Sequence, residues 1–216
     1  MDKPTPKYTA IIFDLDGVIC HTDQYHYQGW KAIADQLGAY FDETINHRLR
    51  GVSRMESLAI VLERYPGQLT PEEKIQWANR KNDIYVQLLH DLKPEHIDPD
   101  VPHTLQTLKE QGIKLAIGSS SKNAPFILEQ TGLTHFFDAI ADGTTIQHSK
   151  PHPEVFLQAA DKLGEAYKNC LVVEDAESGV DAGLAAGMDV AAIGDAVHCG
   201  KSQHAIEKLS DLLPLL

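Results

Sequence analysis

Four stretches of the chain carry the side chains best suited to chemistry: Asp14-Leu15-Asp16-Gly17, Ser119-Ser120-Ser121, Lys150-Pro151 and Glu174-Asp175. Each lies at or beyond the end of a short apolar run. Like charges one residue apart repel, so Asp14 and Asp16 need something to make the arrangement worthwhile. If the four stretches converge, four carboxylates, a row of hydroxyls and one lysine share a site. Carboxylates crowded in this way partly protonate unless a cation neutralises them. A hard divalent ion with oxygen ligands, most simply Mg2+ that keeps some waters and takes a phosphate oxygen from a substrate, removes the conflict. Ser119 and Lys150 can then hold the remaining phosphate oxygens.

Each stretch alone has a plainer reading. Asp16-Gly17 is a strong turn dipeptide. An EF-hand is excluded, because Gly17 comes too early and Tyr25 stands where the closing Glu would be. The serines suit the start of a helix over 122–131, and Glu174-Asp175 suits one starting near Glu177. A lone lysine is ordinarily solvated. What weighs against these readings is that every apparent cap falls at the same edge of one sheet.

That sheet is built from five apolar runs, at 8–13 (YTAIIF), 114–118, 136–140, 169–173 and 189–193. Most are separated by stretches of helical length and pattern, which predicts an α/β protein with a Rossmann-like, doubly wound parallel sheet. In such sheets ligands bind beyond the carboxyl ends of the strands, where the four stretches lie. About a hundred residues separate the first run from the second, against the dozen or more a crossover needs. They read as helices near 23–38, 42–49, 53–64 and 71–91, the last opened by a capping box from Thr70 to Glu73 behind Pro71. The chain is therefore expected to divide into a core of residues 1–21 and 93–216 and a helical insertion of residues 22–92.

Composition narrows the partners. Lys and Arg number 19 against 31 Asp and Glu, a net charge of -12, which disfavours nucleic acid and anionic membranes. An anionic substrate must then be met by local cations or a metal. Cys20, Cys170 and Cys199 have no zinc or disulfide spacing, and the first two read as core residues. The first ten residues lack the apolar run of a signal peptide, and no stretch is long and apolar enough to span a membrane, so a cytoplasmic location is expected.

FDLDGV, the strand end at Ser119, Ser149-Lys150-Pro151 and Val173-Glu174-Asp175 occur in the order and spacing of four motifs. Together they resemble the haloacid dehalogenase-like phosphotransferases. The insertion is similar to the helical cap of that superfamily's β-phosphoglucomutase subgroup. The similarity rests on Tyr25-His26, Leu49 to Arg54, Ser57, Arg80 to Asp83 and Ser121-Lys122-Asn123. The resemblance implies that Asp14 is a nucleophile forming an aspartyl-phosphate and that Asp16 is the general acid and base. Mg2+ would be held by Asp14, the Asp16 carbonyl and Asp175, with Glu174 in or beside that shell. Ser119, Ser120 and Lys150 would hold the transferred phosphate. Arg54 would clamp the other phosphate with Lys122 and Asn123, while His26, Lys81, Gly51, Ser57 and Ser121 face the sugar. It also implies a cis Lys150-Pro151 bond.

The activity so implied interconverts β-D-glucose 1-phosphate and D-glucose 6-phosphate through a bisphosphate. The substrate would be a small phosphorylated sugar and the protein a monomer. The alternative is a sugar-phosphate phosphatase on the same scaffold. A phospho-accepting signalling receiver also gathers acids, a hydroxyl and a lysine at strand ends, but it lacks a helical insertion and its first acidic pair is adjacent. The sequence departs from the subgroup's pattern at His21, where an Asp is usual, and in a shorter tail after Gly194.

Overall fold

The central strands are apolar through their interiors, with Lys114, Glu174 and Asp189 only at strand ends, as expected where both faces of a parallel sheet are covered by helices. The computed structural model describes residues 7–216. One sheet contains β1 (Ala10–Phe13), β2 (Lys114–Gly118), β3 (Ala139–Ala141), β4 (Cys170–Glu174), β5 (Asp189–Ala192) and β6 (His204–Ala205). The order is β3-β2-β1-β4-β5-β6, and every neighbouring pair is parallel. Alternate residues serve opposite faces. Ile11, Phe13, Leu115, Ile117, Leu171 and Val173 join the core under α5 (Asp100–Glu110) and α6 (Ala124–Gln130). Ile12, Ala116, Val172 and Val190 join the one under α7 (Glu154–Leu163) and α8 (Glu177–Ala185).

The order reverses at β1, whose neighbours are β2 and β4. Crossovers leave to opposite sides at such a point and open a crevice at the carboxyl ends. Asp14 follows β1 and Asp175 follows β4, so both carboxylates stand at that crevice.

Between β1 and β2 the chain builds the helical cap from α1 (Asp23–Leu37), α2 (Glu43–His47), α3 (Arg54–Val61) and α4 (Pro71–Leu89). Trp30, Ala34, Phe41, Ile45, Leu58, Val61 and Ala78 form a separate apolar core for these helices. Tyr85 and Leu89, at the end of α4, are buried instead with the sheet, so the cap's last helix is rooted in the core. The predicted capping box is present: Glu73 N–H donates to Thr70 Oγ1 at 3.2 Å and Thr70 N–H to Glu73 Oε2 at 2.8 Å. A second, from Ser53 to Glu56, opens α3. Among the described residues no helix is long and apolar enough to cross a membrane.

Some expected boundaries shift. The run at 136–140 does not begin a strand: residues 134–136 form a tight helical turn, with Phe136 buried in the core, and β3 starts at Ala139. Asp138 replaces the missing ladder by accepting Leu115 N–H at 2.9 Å. Tyr8 is buried although β1 begins at Ala10, and residues 62–64 tighten into a short turn after α3. β6 was not expected; it has two residues and no apolar periodicity. Cys20 and Cys170 are buried as expected.

Candidate active site

The loop after β1 explains the spacing of the two acids. Asp14 N–H donates to Val173 O at 2.9 Å, so Asp14 still lies on the ladder and its side chain is fixed by the sheet. The chain then turns sharply, with Gly17 N–H donating to Cys20 O at 2.7 Å. Gly17 has φ +92, and a Cβ there would stand 2.1 Å from Asp175 Oδ2. Only glycine allows the turn to close against that carboxylate. The turn reading of Asp16-Gly17 is thus correct, but both neighbours of β1 are parallel strands, so it is no hairpin.

Asp14, Glu174 and Asp175 each place an oxygen within 4.8 Å of the others. Lys150 lies beneath them, 1% exposed, its Nζ bonded to Asp14 Oδ1 and Glu174 Oε1 and 4.7 Å from the centre of the Phe156 ring. Burial alone would lower the lysine pKa, but the two carboxylates outweigh it and raise it, so Lys150 is a permanent cation. Glu174 Oε2 also accepts Ala176 N–H at 3.1 Å. Three carboxylates against one lysine leave an excess of negative charge. Burial lifts the Glu174 and Asp175 pKa values, and the neighbouring carboxylates add to the lift; Lys150 and Arg50 offset it only in part. Oxygen donors held reluctantly as anions fit a hard divalent cation, which would return them to the ionised form.

Asp16 has a different setting. It accepts a hydrogen bond from the hydroxyl of Thr22, and His26 Nε2 stands 3.9 Å away. Burial, then the Asp14 charge, pushes its pKa up to about 7. Thr22 is the N-cap of α1 yet makes no capping bond, because its hydroxyl is turned to Asp16. Behind it, Lys81 Nζ meets His26 Nδ1 at 2.9 Å. Burial and the Lys81 charge hold His26 well below its ordinary value, and burial with Arg54 lowers Lys81 to about 7. One ring nitrogen of His26 thus faces Lys81 and the other faces Asp16.

Over this floor the cap brings Arg54, whose Nη2 donates to Asn82 Oδ1 at 2.8 Å. Asn123 of the core donates to the same oxygen at 2.9 Å. Burial lowers the Arg54 pKa, with Asp83 restoring part of it. Ser119 and Ser121 do not cap α6. Ser119 Oγ accepts Ser121 N–H at 3.1 Å, and Ser121 Oγ accepts Asn123 N–H at 3.2 Å. Ser120 Oγ is buried without a partner.

One cleft of about 380 Å³ is lined by Asp14, Asp16, His26, Gly51, Arg54, Ser57, Lys81, Ser119, Ser120, Ser121, Lys122, Asn123, Glu174 and Asp175. Of the residues given a site role from the sequence, Lys150 alone is not on its wall; it lies behind, paired with Asp14 and Glu174. Its Nζ is bonded to Asp14 Oδ1, on the carboxylate that the expected phosphoryl chemistry would use. The Lys150-Pro151 bond is cis. Sequence reasoning gave no role to Thr22, which bonds to Asp16, or to Arg50 and Asn82, which line the cleft. Arg50 and Asn82 fell inside the segments that carried the resemblance, but without a role; Thr22 reads as an ordinary helix cap.

The carboxylate site at the switch point of a parallel sheet, under a helical cap, defines the class. Residues 8–187 match the family model for haloacid dehalogenase-like hydrolases, and the chain belongs to that family. It is an enzyme. It is 40% identical over 206 residues to a β-phosphoglucomutase of Bacillus subtilis, which covers 94% of this chain and 91% of that protein. A solved β-phosphoglucomutase from Clostridium difficile has a TM-score of 0.90 at 37% identity, covering 95% of this chain and 93% of that one. The chain is also 30% identical over 184 residues to a fructose-1-phosphate phosphatase of Escherichia coli, covering 85% and 95% of the two.

Proposed function

We propose that this enzyme is a Mg2+-dependent β-phosphoglucomutase that interconverts β-D-glucose 1-phosphate and D-glucose 6-phosphate through β-glucose 1,6-bisphosphate. The observation that carries this reading is Arg54, a cap guanidinium on the wall of the cleft that Asp14 floors. A mutase must present each phosphate of a bisphosphate to its nucleophile in turn, so the phosphate not reacting needs a cation. Arg54, aligned by Asn82, meets that need, with Lys122 and Asn123 on the core side.

In the first half-reaction an Asp14 carboxylate oxygen attacks the phosphorus of the bisphosphate, and the bond to the sugar oxygen breaks. Asp16, with a pKa near 7, donates the proton that the departing oxygen needs. In the second, Asp16 takes the proton of the incoming sugar hydroxyl as its oxygen attacks the aspartyl-phosphate. A divalent cation held by Asp14, the Asp16 carbonyl and Asp175, with Glu174 beside them, offsets the phosphoryl charge when bound. The hydroxyl of Ser119 and the unpartnered one of Ser120 suit the phosphoryl oxygens. The cap keeps water from the acyl phosphate.

A second reading, a sugar-phosphate phosphatase, is favoured by the Escherichia coli relative, since Asp16 can activate water as readily as a sugar hydroxyl. The two separate in one assay. With β-glucose 1-phosphate, Mg2+ and a trace of bisphosphate, glucose 6-phosphate is expected in large excess over free phosphate. Arg54→Ala is expected to lower that turnover at least ~100-fold, the scale for losing a positioning clamp, and to spare hydrolysis of acetyl phosphate, which has no second phosphate. Free phosphate as the main product would identify a phosphatase.

A further inference from the structure

Arg50 lies in the turn between α2 and α3, and the function proposed above gives it no task. Its guanidinium meets three carboxylates. Nη1 donates to Asp195 Oδ2 at 2.7 Å and stands 3.9 Å from Asp175 Oδ2, while Nη2 donates to Asp23 Oδ2. Asp23 opens α1 in the cap; Asp175 and Asp195 follow β4 and β5 in the core. The Arg50 carbonyl accepts the Ser178 hydroxyl at 3.3 Å, so side chain and backbone of one cap residue both dock on the core. Other polar links between cap and core include Thr22 to Asp16, Glu56 to the Ser149 hydroxyl at 2.8 Å and the Asn82–Asn123 amides at 2.9 Å, and His47 Nδ1 also stands 3.9 Å from Asp195 Oδ2. The hydrogen bonds among them are hydroxyl–carboxylate or amide–amide, whereas Arg50 joins opposite full charges, the stronger class of contact.

The division of the guanidinium also has a use. Asp195 and Asp23 take its two Nη groups at bonding distance, which holds it short of Asp175. The Asp175 oxygen is then shielded by a positive charge but not captured, and it stays available to a divalent ion. Asp195 is 66% exposed and Arg50 24%, so the pair sits at the rim of the closure, where water would enter first.

We propose that Arg50 and Asp195 form the ion-pair latch that keeps the cap shut over phosphorylated Asp14, and so decide whether the phosphoryl group passes to a sugar hydroxyl or to water. Both are positioning residues; neither touches the reacting atoms. When the latch opens, a water oxygen attacks the phosphorus, the bond to the Asp14 oxygen breaks, Asp16 takes the water proton, and inorganic phosphate leaves. The partition rests on the mutase reading; the closure itself does not.

Asp195→Asn, Arg50→Met and the double variant test it, each with intact Mg2+-loaded protein. Three quantities are measured: the ratio of free phosphate to glucose 6-phosphate, the radius of gyration by small-angle scattering, and the melting temperature. Each single variant is expected to raise the ratio roughly tenfold, the factor that ~1.4 kcal/mol of lost pairing gives. The double variant is expected to add little more. The radius of gyration should grow in all three, and Asp195→Asn should melt no more than ~3–6 °C below the wild type, the fall that ~1.4 kcal/mol implies. An Asp195→Asn protein with unchanged ratio and unchanged radius overturns the latch. So does a parallel fall in both products at an unchanged ratio, which would make the pair merely structural. If the wild type forms only free phosphate while Asp195→Asn still expands, the mutase reading fails and the latch stands.

Discussion

Asp16→Asn is expected to make the protein more stable while disabling it. A carboxyl lifted from 3.8 to about 7 on folding is ionised at a cost of ~1.4 kcal/mol for each unit of the lift, or ~4 kcal/mol as an upper bound. A fifth of the side chain is exposed, and relaxation with water screens part of the charge, so ~2 kcal/mol is the working figure. The sign follows from linkage. The folded state binds the proton more tightly than the unfolded chain, so the cost is absent below pH ~4 and complete above pH ~7. At pH 5 about a third of it has developed.

Asparagine carries no charge and can still accept the Thr22 hydroxyl. At ~2–4 °C per kcal/mol for a chain of this size, the variant should melt ~4–8 °C higher at pH 8 and only ~1–3 °C higher at pH 5. Differential scanning fluorimetry without divalent metal reads both. Mutase turnover should fall by ~100-fold or more, as for a lost general acid and base. An equal gain at the two pH values would mean that the stabilisation is not electrostatic. No gain at either would mean that Asp16 ionises without penalty and that its proton is not held ready for a leaving group.

The lifted pKa values of Glu174 and Asp175 make a related forecast. Metal needs both ionised, and ionisation is most unfavourable to the fold at high pH, so saturating Mg2+ should raise the melting temperature more at pH 8 than at pH 6. An equal rise would separate the cation from these carboxylates. At Gly51, φ is +72 and a Cβ would lie 2.2 Å from Ser178 Oγ; at Gly164, φ is +68 and nothing lies within 4 Å. Alanine at either should cost ~1 kcal/mol or more in backbone strain, but only Gly51→Ala pushes the cap off α8. It should lower kcat/KM at least ~10-fold while Gly164→Ala leaves it intact; equal kcat/KM in the two variants would remove Gly51 from the closure.

What could be read from the sequence was whatever local pattern decides. Apolar runs alternating with helical stretches announced a parallel sheet, and the position of each polar cluster after a run announced the edge where they meet. Thr70-Pro71-Glu73 named a helix start to the residue. Phe136-Phe137 misled because two aromatics read as strand wherever they fall; here the first is core filling within a turn. His204-Ala205 joins the sheet through backbone bonds to β5, which leave no mark on side-chain type. Lys150 was placed at the right edge, but its two carboxylate partners are chosen by burial and geometry, not by spacing. Thr22 shows the same limit: the residue type predicts a cap, and only the fold reveals that a better acceptor, Asp16, competes for its hydroxyl.

The pairing of Lys150 with Asp14 spans 136 positions of the chain, while its pairing with Glu174 spans 24. Asp14, the nucleophile proposed above, therefore precedes both the lysine and the glutamate that complete its surroundings. β1 is central in the sheet, yet one of its two neighbours, β4, emerges only after the cap and two further strands. Loop closure over such distances is slow, and a growing chain exposes Asp14 as an ordinary solvated carboxylate throughout. Residues 150 to 175 therefore act as a late-arriving key. Until they dock, Asp14 lacks its lysine, and a chain truncated before Lys150 is expected to take up no phosphate in an acetyl phosphate labelling assay.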